Sequence, residues 1–147
     1  MVFPRDLPGI NNRIKGTLPG TLGVEIVELR DKALSARMSL RPDHLAPNGF
    51  LHAASVVGLA DTACGLGSLT NLPEGGTGFT TIELKTNFLA TARDGVLTCE
   101  ARLVHGGRTT QVWDAEVRHK ESDKTIAVFR CTQLILYMGE FDVSAQG

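Results

Sequence analysis

Residues 52–69 read His-Ala-Ala-Ser-Val-Val-Gly-Leu-Ala-Asp-Thr-Ala-Cys-Gly-Leu-Gly-Ser-Leu, from His52 to Leu69, with no lysine, arginine or glutamate. Their one carboxylate is Asp61. A helix that is apolar all round has to be enclosed, by protein or by lipid. Eighteen residues reach the lower edge of a membrane span. A mid-segment aspartate, three glycines (Gly58, Gly65 and Gly67) and no flanking basic anchors speak against lipid. The stretch is therefore expected to be a central helix with a sheet wrapped on it. Its glycines and alanines give up helix propensity and let that sheet come close.

The chain on either side has strand periodicity. Before the helix, Leu22, Val24 and Ile26 alternate with Gly23, Glu25 and Val27, and Leu34, Ala36, Met38 and Leu40 alternate with Ser35, Arg37 and Ser39. After it, in 79–89, Ile82, Leu84 and Phe88 are expected to share one face opposite Glu83, Lys85 and Asn87. Leu97, Cys99, Ala101 and Leu103 alternate in 96–104, and Trp113, Ala115 and Val117 in 109–119. Residues 125–137 are apolar on both faces, as suits a strand inside a sheet. Short links at Gly106-Gly107 and 121–124 favour antiparallel hairpins. The order β-β-α-β-β-β-β around one buried helix is an α+β architecture. It forms a single domain over 21–138. A Pro- and Gly-rich arm (1–20) precedes it, read as irregular with a short helix near 11–15, and a tail (139–147) follows.

Composition removes other classes. The chain has 147 residues, enough for one domain, with Lys+Arg 15 against Asp+Glu 16. That balance lacks the cationic surplus an electrostatic nucleic-acid binder needs. Cys64, Cys99 and Cys131 are an odd number without CxxC spacing, so no disulfide framework or zinc site is indicated. His44, His105 and His119 are too scattered for metal-ligand spacing. The N-terminus lacks the basic and apolar regions of a signal peptide, so a cytoplasmic protein is expected.

Asp61 is the main chemical signal. A carboxylate within a buried helix is costly unless partnered. Its helical neighbours Val57, Gly58, Cys64 and Gly65 offer no cation. Two readings follow: hydrogen bonds across the helix or an oligomer interface, or a base or nucleophile tuned by burial. The turn-rich lead-in 44–54 gives a second element, because the first amides of a helix lack intrahelical acceptors. Ala53 and Ala54 leave their N–H groups sterically open, and His52 serves as acid or as orienting group. Asp61 lies nine positions beyond His52, about two and a half turns. One reacting group cannot reach both without an extended substrate or a second chain. Cys64 has no obvious activating base. Residues 75–78 read as a flexible loop at a cleft mouth, and Trp113 as core.

The run Asn48-Gly49-Phe50-Leu51-His52-Ala53-Ala54, followed by Leu59-Ala60-Asp61-Thr62-Ala63, resembles the hotdog-fold acyl-CoA thioesterases of the phenylacetate-degradation (PaaI-like) type. Their signature is roughly G-x-x-H-G-G and then L-x-D-x-A on the central helix. Residues 80–89 are similar to that family's strand after the helix, and 104–110 to its hairpin with a Gly-Arg pair. The resemblance spans about 21 to 137. It implies a long central helix wrapped by a curved antiparallel sheet, and Asp61 as the carboxylate that activates water or attacks the thioester carbonyl. The Ala53 N–H would hold the oxyanion beside His52 and Asn48, and Thr81 would assist a water across a dimer interface. Asn87, Phe88, Arg108 and Thr109 would lie along the coenzyme A arm.

The resemblance further implies an acyl-CoA substrate with a small aryl or fatty acyl group and no cofactor beyond the CoA that the substrate carries. It implies a homodimer or a tetramer built as a dimer of dimers, and neither nucleic acid nor membrane as partner. Two departures stand out. The usual Gly-Gly after the histidine is Ala53-Ala54, and Ala46 stands where the family often has Asn or Gln, with Asn48 two positions away. They leave open a non-catalytic acyl-CoA or aromatic-ligand binder, and a hydratase or dehydratase pairing Asp61 with His52.

Overall fold

In the computed structural model, which describes residues 3–138, the apolar stretch forms α3 (Ala53–Thr70). Ten of its 18 residues are buried, from Ser55 to Ser68. By length and composition α3 could cross a membrane, but here the protein itself encloses it. The enclosing layer is a six-stranded sheet of β1 (Val24–Arg30), β2 (Ala33–Ser39), β3 (Gly76–Phe88), β4 (Val96–Gly106), β5 (Thr110–His119) and β6 (Lys124–Tyr137). The strand order is β1-β2-β4-β5-β6-β3, with every pairing antiparallel. The expected α+β architecture is the one observed, with 125–137 inside the sheet.

Register explains why α3 can sit so close. Leu34, Ala101, Ala115 and Phe129 pair successively across β2, β4, β5 and β6. The next inward row is Ala36, Cys99, Val117 and Ala127. Ala101 and Ala115 in the middle of the first row, and Ala36, Cys99 and Ala127 in the second, hollow the sheet where the helix lies. The outer face takes the charges: Arg37 meets Glu25 at 3.0 Å, and Arg130 meets Asp114 at 2.6 Å. Such exposed pairs contribute little stability and chiefly keep this face wet.

Two expectations about β3 need correction. In β3 the pairing jumps from Thr81↔Gln133 to Glu83↔Thr132, so Ile82 is the extra residue of a β-bulge. Leu84 and Phe88 consequently face inward with Phe79 and Thr81, and Ile82 does not continue their row. The Gly-rich 75–78 segment is also more ordered than expected, since β3 already begins at Gly76.

The N-terminal arm carries two helices. In α1 (Leu7–Arg13) the Asp6 carboxylate caps the first turn by accepting from the Gly9 N–H at 2.8 Å, and Pro8 sits where its missing N–H costs nothing. Asn11 exchanges two 2.8 Å hydrogen bonds with the Ile26 backbone and docks α1 on edge strand β1. Ile10 is thereby fully buried. The second helix, α2 (Leu18–Leu22), ends at Gly23 with φ +82, so Leu22 belongs to it and not to a strand. The proposed tail at 139–147 lies outside the described residues.

Helix glycines at two positions make a testable contrast. A Cβ at Gly67 would come within 2.7 Å of the ring of Trp113, which is fully buried and donates its Nε1–H to Gln111. Gly67→Ala is expected to destabilise by about 1–3 kcal/mol despite alanine's better propensity. At Gly58 the obstacle is only the tip of the half-buried Leu22 side chain. Gly58→Ala is expected to cost less than about 1 kcal/mol. Urea unfolding of both variants checks the difference.

Candidate active site

The lead-in to α3 is a tight loop. Leu45 bridges to Leu51, Gly49 takes φ +84, and the Asn48 side chain accepts from the Phe50 N–H at 3.2 Å. Asn48 is thus occupied with shaping the turn. His44, buried beneath it, accepts from the Arg41 N–H and sets its other ring nitrogen 2.7 Å from the Leu22 carbonyl, a structural role. His52 is the N-cap of α3, and its Nδ1 accepts from the Ala54 N–H at 2.9 Å. The proton of the neutral ring is therefore on Nε2. The Ser55 N–H is taken by the His52 carbonyl. Ala53 is left: it opens the helix on an exposed residue, and its N–H has no acceptor among the described residues. The helix dipole adds positive potential at the same point.

Asp61 is on the flank of α3, half-buried, and its Oδ1 is buried with no hydrogen-bond partner. Burial raises its pKa above the ordinary carboxylate value. It lines a cavity of ≈ 360 Å³ with Leu66 and Leu69 of α3, Ile14 and Pro19 of the arm, and Phe79 of β3. A Cβ at Gly65 would stand 2.9 Å from Phe79, so the ring lies against bare helix one turn beyond the carboxylate. The result is a slot lined mainly by apolar side chains, with Arg13, Thr17 and Thr62 as its other polar members and one unsatisfied acceptor on its wall. A group of that kind is poised to take a proton or attack an electrophile.

The other expected residues divide between two ends of the molecule. Phe88 lies on the helix side of β3, while Asn87 faces outward, into a separate cavity of ≈ 410 Å³ shared with Lys85 and Arg130. This end is near the α3 entrance, where the Leu51 N–H donates to Thr91 Oγ1. Arg108 and Thr109 occupy the β4–β5 turn, near the far end of α3. On β6, Asn87 pairs with Val128 and Thr110 with Leu134, so the two sets are about 20 Å apart. One protomer does not bring them together. Thr81 is half-buried and donates its hydroxyl to Gln133 Oε1 at 2.7 Å.

Cys64 is buried, and its thiol pKa is raised by a hydrogen bond with Cys131 and by desolvation, which leaves it protonated and a poor nucleophile. No group of metal-binding side chains occurs among the described residues. Two features were missed in sequence. The arm supplies a cavity wall, which no local pattern announces. Gln133 is a lone amide on the inner face of an apolar strand, and that isolation was a readable signal.

A model of the thioesterase superfamily matches residues 48–126. A 1,4-dihydroxy-2-naphthoyl-CoA hydrolase of Listeria monocytogenes is 30% identical over 115 residues, covering 78% of this chain and 92% of that protein. The crystal structure of a Haemophilus influenzae thioesterase superposes with a TM-score of 0.84 at 30% identity, covering 93% of this chain and 94% of its own. The Escherichia coli PaaI protein, 23% identical with a TM-score of 0.72 over 80% of this chain and 83% of its own, shares the fold. A helix wrapped by this sheet, with these matches, makes the chain a member of the thioesterase superfamily, a hotdog-fold thioester hydrolase.

Proposed function

We propose that the protein hydrolyses an acyl-CoA thioester with Asp61 as general base and the Ala53 N–H as oxyanion donor, in a site completed by a second copy of the chain. The observation that carries this is the buried, unpartnered Asp61 Oδ1 on the wall of an apolar slot. Asp61 takes a proton from water as the water oxygen bonds to the carbonyl carbon. The carbonyl electrons move to oxygen, where the Ala53 N–H stabilises the charge. Collapse breaks the C–S bond, and the departing thiolate takes up a proton. Burial favours the base role because it makes the carboxylate a stronger proton acceptor.

Geometry argues for the second copy. Ala53 and Asp61 are eight residues apart on one helix, about 12 Å, too far to meet at one carbonyl. The β3 strand has a free edge, with Ile82 57% and Phe88 47% exposed, a ready template for strand pairing. Two β3 edges paired antiparallel would turn the Asp61 of one copy towards the α3 entrance of the other. The same pairing would set residues 87–88 beside the partner's 108–109 turn, where the Arg108 guanidinium forms no ion pair within the described residues. Both ends would then contribute to the CoA arm.

A thiol-release assay over aryl- and fatty-acyl-CoA thioesters tests the reading, and release from at least one class is expected. Tight binding without release across the panel would make the protein a binder. Single turnover in ¹⁸O-water is expected to label only the released acid. Label in Asp61 would show that its carboxylate attacks the carbonyl directly.

A further inference from the structure

We infer that Gln133 is a positioning residue for hydrolysis, holding the Thr81 hydroxyl as a hydrogen-bond acceptor at the level of Asp61; this rests on the function proposed above. Gln133 lies on the inner face of β6 between Cys131 and Ile135 and is 0% exposed. A fully buried amide on an apolar strand is costly unless its polar atoms are engaged. Its Oε1 accepts from Thr81 Oγ1 at 2.7 Å, and its Nε2 reaches Cys131 Sγ at 3.4 Å, a weak acceptor. The strong bond is the one to Thr81. The two residues are also direct cross-strand partners, so backbone pairing and side-chain bond fix the same geometry.

Thr81 is the last residue before the bulge at Ile82. Bulges re-aim side chains and recur beside active sites. The level follows from the packing of β3 on α3. The strand starts beside the C-terminal end of the helix and ends beside its entrance, so the two run antiparallel. Phe79 is abreast of Gly65. Two strand residues onward, about 7 Å, is Thr81. Four helix residues back, about 6 Å, is Asp61. The hydroxyl and the carboxylate thus stand at one height on facing elements, with no hydrogen bond joining them directly.

A hydroxyl has one hydrogen, and Thr81 commits it to Gln133. What the hydroxyl has left to offer a water is lone pairs. The Asp61 carboxylate likewise only accepts. A water between them must point one hydrogen at each, which turns an oxygen lone pair outward to the thioester carbonyl. The proton is lost to Asp61, the stronger base, and Thr81 fixes orientation. Without Gln133 the hydroxyl can rotate and donate, and the water loses its defined pose.

Kinetics on the CoA thioester that the wild type hydrolyses best test this. Gln133→Leu is expected to lower kcat about 10-fold with KM within about twofold. Thr81→Ser keeps the hydroxyl and is expected to stay near wild type, and Thr81→Val is expected to lose about as much as Gln133→Leu. The double variant Thr81→Val/Gln133→Leu is expected to be no slower than Thr81→Val alone, because both changes remove one interaction. Losses that multiply, or a normal kcat per folded molecule in Gln133→Leu, would overturn the inference while leaving the hydrolase reading intact. Gln133→Met, flexible and similar in volume, replaces the leucine variant if that does not fold, with the same expectations. A wild type that releases no thiol from any CoA thioester would overturn the hydrolase reading and this inference with it.

Discussion

Asp61→Asn is expected to reduce thioester hydrolysis by about 10²–10⁴-fold and to raise the melting temperature by about 2–4 °C. The two effects share one cause. Asp61 is half-buried in an apolar slot with one oxygen unpartnered, and desolvation raises its pKa in the folded protein. The folded state therefore binds this proton more tightly than the unfolded state does. Below the ordinary carboxylate value both states are protonated and no penalty exists. As pH rises through the folded pKa, the charged form must be accommodated in the slot and stability falls. Asparagine never ionises, so its advantage should be present near about pH 7.5 and vanish in acid below the unfolded value. Thermal unfolding of both proteins at the two pH values measures it. A variant less stable at neutral pH would mean that Asp61 anchors structure. Activity should follow the opposite course, with wild-type kcat/KM rising with pH through the same raised pKa. Stability is expected to fall over the pH range in which activity is expected to rise.

Much of this arrangement was legible in sequence because it depends on local periodicity. A run of 18 residues without lysine, arginine or glutamate can only be enclosed. The residues alternating at Leu34-Ala36-Met38, Leu97-Cys99-Ala101 and Trp113-Ala115-Val117 are all buried, and Ser35, read on the opposite face, is buried with them. Periodicity fails where the backbone adds a residue. Ile82 looks like an inward partner of Leu84 until the bulge takes it out of the row, and no composition signals that insertion. The arm was obscure for another reason. Asp6, Pro8 and Gly23 are readable as cap, first-turn proline and left-handed stop. What fixes their helices, however, is Asn11 bonding to Ile26 and Ile10 entering the core, both long-range events. The candidate site divides the same way. Asp61 stood out as a lone charge, and Ala53 followed from helix-end chemistry. The cavity walls come from three elements and exist only after folding. Arg108 shows the limit most clearly, since its separation from Asn87 and Phe88 is a property of the sheet's length.

Ala53→Pro is expected to lower kcat by about 10²–10³-fold while leaving the fold and melting temperature nearly unchanged. The oxyanion donor proposed here is a backbone N–H, which ordinary side-chain substitution cannot remove. Proline can, and Ala53 is a position where it fits. It is the first residue of α3, where a missing N–H breaks no helical bond and a fixed φ favours the helix. The residue before a proline must be extended, and His52 already is, with φ −70 and ψ 134. The neighbouring bonds, from the Ala54 N–H to His52 Nδ1 and from the Ser55 N–H to the His52 carbonyl, do not involve the lost hydrogen. The ring adds bulk at a solvent-facing position, so its effect on substrate entry is read separately, as a change in KM. A donor used only when charge develops on the carbonyl oxygen should lower kcat and kcat/KM together. Ala53→Gly is the matching control: it keeps the N–H, removes the methyl and is expected to retain activity. If proline hydrolyses as fast as glycine, the oxyanion is held elsewhere, and the His52 Nε2–H becomes the next donor to remove.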